Sequence, residues 1–404
     1  MRRSRAKFGA LPLTALAPAL AAAIIPSCGG GGGGGGGAGD TFDREALLAN
    51  LAANLVLPVY EDFVAKAQAL KTAADAYAAD VADPDLRAAA RQAWKDAIDV
   101  WQRAELLQFG PAGKSTEVVA GMNLRDYIYS WPTTSPCDID REVVANEFND
   151  ADFFQTRLVN VYGLDALEYL LFRADTGNAC GSGVPPNSDG AWGALTAEEI
   201  EQRRAEYAAA CAGNVLARAQ QLLDEWAPSG NDFAGKFSNA GTSGVYSSAH
   251  AAVNDVFAGM FYLDTMVKDK KIGAPAGISG GTVDPSRVES PTAATSKEHL
   301  LRNLETFQFM FLGNRPGDPP GVGFDDFLTA RGAPALAAEM ETDIAEAIAA
   351  VQAIPGTLQD ALVSDLSSVQ AAHAAIKDIT DHLKSQFVTV LNLSVPNTGA
   401  GDND

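Results

Sequence analysis

The stretch "RQAWKDAIDVWQRAELLQ", Arg91 to Gln108, decides the fold. Trp94, Ile98 and Trp101 fall at i, i+4 and i+7, a stripe that only a 3.6-residue repeat places on one face. Glu105 continues that stripe and so puts a carboxylate on a core-facing surface, after which "FGPAG" closes the helix in a tight loop. Other long segments share the period. "TAEE", Thr196 to Glu199, has capping-box spacing and opens a helix running to about Trp226, and "TSKE", Thr295 to Glu298, predicts the same start for a helix ending near Leu312. From Leu358 through Leu362, Leu366, Val369, His373, Ile376, Thr380, Leu383 and Phe387 to Val390, spacings of three and four predict one long continuous bundle helix. No run of alternating β-branched residues stands out. The expected class is all-α, two packed helical bundles.

Clusters of Pro, Gly and Ser set the expected boundaries: an N-terminal bundle over 40–175, a connector over 176–195, a C-terminal bundle over 196–393 and a disordered tail over 394–404. Before them, Arg2, Arg3, Arg5 and Lys7 precede an apolar run from Leu11 to Ile25, the order of an export signal. Ile25, Pro26, Ser27 and Cys28 resemble a bacterial lipobox, so residues 1–28 are expected to be a lipoprotein signal with lipid on Cys28. Nine glycines, Gly29 to Gly37, follow as a flexible tether over 29–39. The chain holds 30 basic against 51 acidic residues, a net charge of -21, which argues against nucleic acid as a partner and for cations or basic surfaces. An oxidising compartment favours one disulfide. Cys137 and Cys180, in turn-like segments, are the favoured pair, while Cys211 lies in a helical pattern.

"GLDALEYLLF", Gly163 to Phe172, sets Asp165 and Glu168 three residues apart on one face of a segment that is otherwise apolar all round. Buried carboxylates are costly unless paired, hydrogen-bonded or bound to a cation. Two readings are open: Asp165 serves as a first-turn acid at the helix start, or both acids form a polar or cation-binding site. Glu105 is the third inward acid. It either joins Asp165 and Glu168 in an all-carboxylate set suited to hard cations, or forms a buried salt bridge with Arg125 or Arg157. Among histidines, His373 reads as a core residue, His250 as a helix-start or packing residue with a ligand role as the alternative, and His299 and His382 as solvent-facing. No HExxH, HxxE or CxxC occurs, and "GISGG", Gly277 to Gly281, lacks the strand-turn-helix setting of a serine nucleophile.

A series of segments is similar, in order, to the imelysin-like proteins, also called the M75 peptidase family. "LVLPVYEDFVAKAQAL" (Leu55 to Leu70) and "AARQAWKDAIDVWQRAELLQFGPAG" (Ala89 to Gly113) resemble its opening helices. "YIYSWP" (Tyr127 to Pro132), "GLDALEYLLF", "RRAEYAAACAGNVLARAQQLLDEW" (Arg203 to Trp226), "KKIGAP" (Lys270 to Pro275) and "VESPTAATSKEHLLRNL" (Val288 to Leu304) follow. The resemblance implies two helical bundles, a periplasmic or envelope location with a lipid anchor, and a link to bacterial iron uptake. Its GxHxxE signature maps onto Gly163, Asp165 and Glu168, so Asp165 stands where the family has histidine. An aspartate there suits a hard cation better than zinc or haem iron. The same resemblance adds Trp131, Glu289 and Ser290 as site-lining residues.

The leading expectation is a non-catalytic, lipid-anchored envelope protein that binds iron or an iron-bearing ligand through Glu105, Asp165 and Glu168, working with envelope iron-transport components. One alternative is a metallopeptidase with Glu168 as general base and His250 as its nitrogen ligand. The other is a structural or adhesion lipoprotein with no small ligand.

Overall fold

Asp43 opens the first helix, α1 (Arg44–Ala79), by accepting a hydrogen bond from the Ala46 N–H at 2.9 Å. The computed structural model describes residues 41–278 and 280–396; the segments expected to be an export signal with its Cys28 and a glycine tether, Ser279 of "GISGG" and residues 397–404 of the expected tail lie outside the described residues. A π turn at Ala52–Val56 interrupts α1 just before Pro58. Proline offers no N–H and crowds the preceding turn, so a widened turn there lets the helix continue. Asp83 caps α2 (Pro84–Ala104) through the N–H groups of Asp85 and Leu86, with Pro84 in the first helical position. The stripe of Trp94, Ile98 and Trp101 is buried as its spacing requires.

Shorter helices follow, among them α3 (Leu124–Ile128), α4 (Pro136–Ala145) and α5 (Leu164–Phe172). Next come α6 (Ala197–Trp226), α7 (Ala249–Met260) and a π-helical segment, Leu263–Gly273. The last long elements are α8 (Ser296–Leu312), α9 (Pro334–Ala353) and α10 (Leu366–His382). No β-strand occurs among the described residues, and the protein is all-α as expected.

The helices pack in two groups that share α2. On one side α1 lies along α6 and α2, and α5 packs on α6 and α2. On the other, α8 packs on α2 and α9, and α10 packs on α9 and the π segment. The first group is therefore not contiguous in sequence: α6, expected to open the C-terminal bundle, lies against α1. Its apolar stripe supplies the reason, since Trp226 and Phe109 stack edge-on at 5.9 Å between centroids and Tyr60 meets Trp226 at 6.1 Å.

Three local expectations meet different outcomes. The capping box at Thr196 and Glu199 forms in both directions. The one expected at Thr295 does not, because the Thr295 hydroxyl is engaged with Ser290 Oγ and His299 Nε2, each at 2.9 Å. The long C-terminal helix is broken at Asp365, whose φ of -151° and ψ of 64° leave the helical region and whose carboxylate accepts from the Ser368 N–H to start α10. The stripe survives the break, with Leu358, Leu362, Val369 and Ile376 all buried, so periodicity predicts the buried face but not the continuity. Cys137 and Cys180 form the expected disulfide, tying α4 to the loop after α5, and Cys211 is a buried free thiol.

Candidate functional site

Gly163 is what lets α5 enter the site. Its φ is +101°, and a Cβ there would lie 2.8 Å from the Ile128 carbonyl oxygen at the end of α3. The close approach brings the first turn of α5 against the 130–134 segment. Ser130 Oγ donates to Asp165 Oδ2 at 2.7 Å and the Thr134 hydroxyl donates to the same oxygen. Asp165 Oδ1 meets no hydrogen-bond donor, although the side chain is only 7% exposed. Burial pushes the Asp165 carboxyl up to about 6, against the pull of Thr134, Ser130 and the first N–H groups of its helix. Asp165 is thus both a first-turn acid, drawn by the N–H groups of Asp165 and Ala166, and a residue of a polar site.

Glu168, one turn along and 5% exposed, is held differently. Its Oε1 accepts from the Thr292 N–H at 2.9 Å, the Thr292 hydroxyl at 2.7 Å and the Ala293 N–H at 2.9 Å. Burial raises its pKa in spite of these donors. The two acids therefore fasten α5 to two loops: Asp165 to the one after α3, Glu168 to the one before α8.

Glu105 takes the salt-bridge alternative. Trp101 Nε1 (2.7 Å) and Arg125 Nε (3.2 Å) donate to its Oε1, Arg125 Nη2 (2.7 Å) and Tyr262 OH (2.6 Å) to its Oε2. Both oxygens are thus consumed by a bidentate guanidinium and two ring donors. Arg157 pairs instead with Glu142 and Glu147.

A second buried network surrounds Glu289. Gln102 Nε2 (3.0 Å) and Tyr129 OH (2.8 Å) donate to Oε1, while Lys271 Nζ lies 2.9 Å and His299 Nδ1 3.0 Å from Oε2. Burial would raise the Glu289 pKa, but Lys271 and His299 beside it hold the carboxyl well below the usual range. Burial lowers the Lys271 pKa, opposed by Glu289. Lys271 also donates to Gln102 Oε1 and Asn303 Oδ1 at 2.7 and 2.8 Å. His299, expected to face solvent, is 1% exposed. The readable signal was its spacing: His299, Asn303 and Thr306 fall at i, i+4 and i+7 on the inner face of α8. His382 is also partly withdrawn, its Nε2 3.2 Å from Asp343 Oδ2.

These elements enclose a cleft of about 410 Å³. Asp165, Glu168, Trp131 and Glu289 line it, together with Tyr169 and Thr134. Lys270 and Arg287, which the sequence reading passed over, supply positive charge at the same cleft. Ser290 lies behind it, fully buried, its backbone N–H donating to Ser296 Oγ at 2.9 Å. Glu105 is not a lining residue, and neither is His250, which sits in the first turn of α7. Among the described residues no three His, Cys, Asp or Glu side chains are grouped to hold a metal ion. The expected set of Glu105, Asp165 and Glu168 is divided: two acids face the cleft and the third is locked in an ion pair.

An all-helical protein with a small-molecule-sized cleft between helix ends and loops, floored by paired carboxyl groups, is the class that fold and site define. The chain belongs to the imelysin family (peptidase M75), whose model matches residues 56–386. Iron-regulated protein A of Synechococcus elongatus is 25% identical over 342 residues, 83% of this chain and 84% of that protein. Two crystal structures share the fold. One, described as an iron-regulated protein A precursor from Parabacteroides distasonis ATCC 8503, has a TM-score of 0.67 at 20% identity, over 86% of this chain and 95% of that one. The other, an imelysin-like protein from Psychrobacter arcticum 273-4, has a TM-score of 0.65 at 21% identity, over 87% and 96%.

Proposed function

We propose that this protein is a non-catalytic binding protein of the bacterial envelope, lipid-anchored through Cys28, which captures iron or an iron-bearing ligand for uptake and passes it to envelope transport components. One observation carries the reading: Asp165 and Glu168, the two acids at the family's signature positions, gather with Trp131 and Glu289 in a single cleft of about 410 Å³. The relative named as iron-regulated supports the link to iron. A metallopeptidase needs a strong nitrogen ligand beside its general base, and His250 does not line the cleft with Glu168. The test is the iron content of full chain purified from its native envelope, for wild type and for Asp165→Ala with Glu168→Ala. Iron is expected in the first and lost in the second; equal iron in both would overturn the proposal.

A further inference from the structure

We infer that the cleft is under redox control: the Cys137–Cys180 disulfide fixes one of its walls through Asp140 and Tyr169, and reduction of that bond by an envelope dithiol loosens the wall. The inference rests on the reading that this cleft is the binding site and holds for any ligand the cleft takes.

Both cysteines stand beside the cleft wall. Thr134 and Pro136, two of its lining residues, fall within the three positions before Cys137, and Tyr169 lines it from α5. One turn into α4 sits Asp140, fully buried. Its Oδ2 accepts from the Tyr169 OH at 2.6 Å and from the Ala179 N–H at 2.7 Å. Ala179 is the residue before Cys180, so the disulfide clamps together the two backbones that this carboxylate bridges. One oxygen thus joins the disulfide loop to a side chain of the cleft.

Little else keeps that junction closed. Residues 173–191 form no helix. Arg204 and Trp192 hold this loop at one end, donating to the carbonyls of Asp175, Thr176 and Gly177. Asn178 and Asn187 pair with each other and Asn187 donates to the Cys180 carbonyl, bonds that lie within the loop and travel with it. Beyond the disulfide and Ala179, the loop reaches α4 through Arg141 Nε, which donates to the Pro185 carbonyl at 3.0 Å at an exposed site. With the disulfide cut, the loop stays attached at 175–177 and the 178–180 stretch is free to lift from Asp140.

Asp140 responds to that lifting. Its Oδ1 meets no hydrogen-bond donor among the described residues and lies 3.6 Å from Arg204 Nη2. Burial raises its pKa against the pull of Tyr169, Ala179 and Arg204. A buried carboxylate short of donors takes up water once its cover lifts, and that water competes for the oxygen to which Tyr169 donates. Tyr169 then keeps only Arg173 at its hydroxyl, and the turn of α5 that also carries Glu168 loses its tie to α4.

The chemistry is confined to one bond. Cys137 and Cys180 are half-buried, whereas Cys211 is fully buried and burial pushes its thiol pKa up, which keeps it out of exchange. The dithiol supplies two electrons and two protons: the S–S bond breaks, thiols form on Cys137 and Cys180, and the dithiol leaves as a disulfide.

Hydrogen exchange with mass spectrometry on the full chain tests this, with dithiothreitol as the dithiol and the two new thiols counted by alkylation. Reduction is expected to quicken amide exchange about fivefold in α5 as well as in 175–180, the effect of about one lost hydrogen bond, with α9 and α10 unchanged. Tyr169→Phe keeps the ring and the disulfide but cuts the relay. Its α5 is expected to exchange as fast when oxidised as wild type does when reduced, with no further change on reduction. Faster exchange confined to 175–180 would overturn the inference, as would an α5 in Tyr169→Phe that still responds to reduction as wild type does. A bond that dithiothreitol leaves intact in the folded chain, or one whose reduction also speeds exchange in α9 and α10, would mark a purely structural disulfide and overturn it too. No probe here contains iron, so each of these failures leaves the iron-binding reading standing.

Discussion

The distinction between Asp165 and Glu105 is one of solvation, not of charge. Both are carboxylates on inward faces, yet Glu105 has four donors and Asp165 has two, both on one oxygen. The Asp165 pKa, raised from 3.8 to about 6 by burial, makes the protonated form the better fit in the folded state. Its favourable contribution is therefore fully present below about pH 4 and is lost as pH rises through about 6, a change of about 3 kcal/mol. Asp165→Asn removes this dependence. Thermal unfolding from pH 4 to pH 7 should show wild type losing stability relative to the variant as pH rises; parallel curves would exclude the burial argument. The inward direction of Glu105 was legible because its stripe carried it. Its partner was legible only as a choice among Arg125, Arg157 and the two other acids, since 20 residues of loop and short helix separate Glu105 from Arg125.

At the scale of elements, helix existence was readable and helix continuity was not. The stripe through Leu358, Val369 and Ile376 is buried as a periodic pattern demands, but Asp365 breaks the backbone by offering its own side chain as a cap. A local hydrogen bond of that kind leaves no mark on hydrophobic periodicity. The entry of α5 depends on one residue in the same way. Gly163→Ala places a Cβ at a φ of +101° and 2.8 Å from the Ile128 carbonyl oxygen, which α5 can relieve only by moving away from the 130–134 segment. The expected cost is about 1–3 kcal/mol, read as a lowered urea midpoint, with loss of whatever binding depends on Asp165. An unchanged midpoint would show that the backbone around Gly163 is freer than its contacts indicate.

The whole molecule sets its two helix groups on either side of α2, and the cleft forms where loops from both converge on α5. The Cys137–Cys180 disulfide closes a 43-residue separation that carries α5 and so braces this convergence from outside the core. Restricting a loop of that length in the unfolded chain is worth about 4 kcal/mol in the entropic account. Cys137→Ser with Cys180→Ser should lower stability by about 2–4 kcal/mol in chemical denaturation and speed proteolysis between residues 138 and 179. Equal stability of the two proteins would mean that the loop is already ordered without the bond.

The sequence by itself determined the helical class, the buried faces, the cysteine pair and the inward acids, because each follows from spacing along one segment or from the compartment an export signal implies. Only the tertiary structure decided which acids share a cleft, that α6 packs with α1, and that His299 and Lys271 belong to a buried network around Glu289. Those outcomes depend on which segments distant in the chain come to lie side by side. A carboxylate's partners are chosen by that packing and by the desolvation cost of leaving it alone.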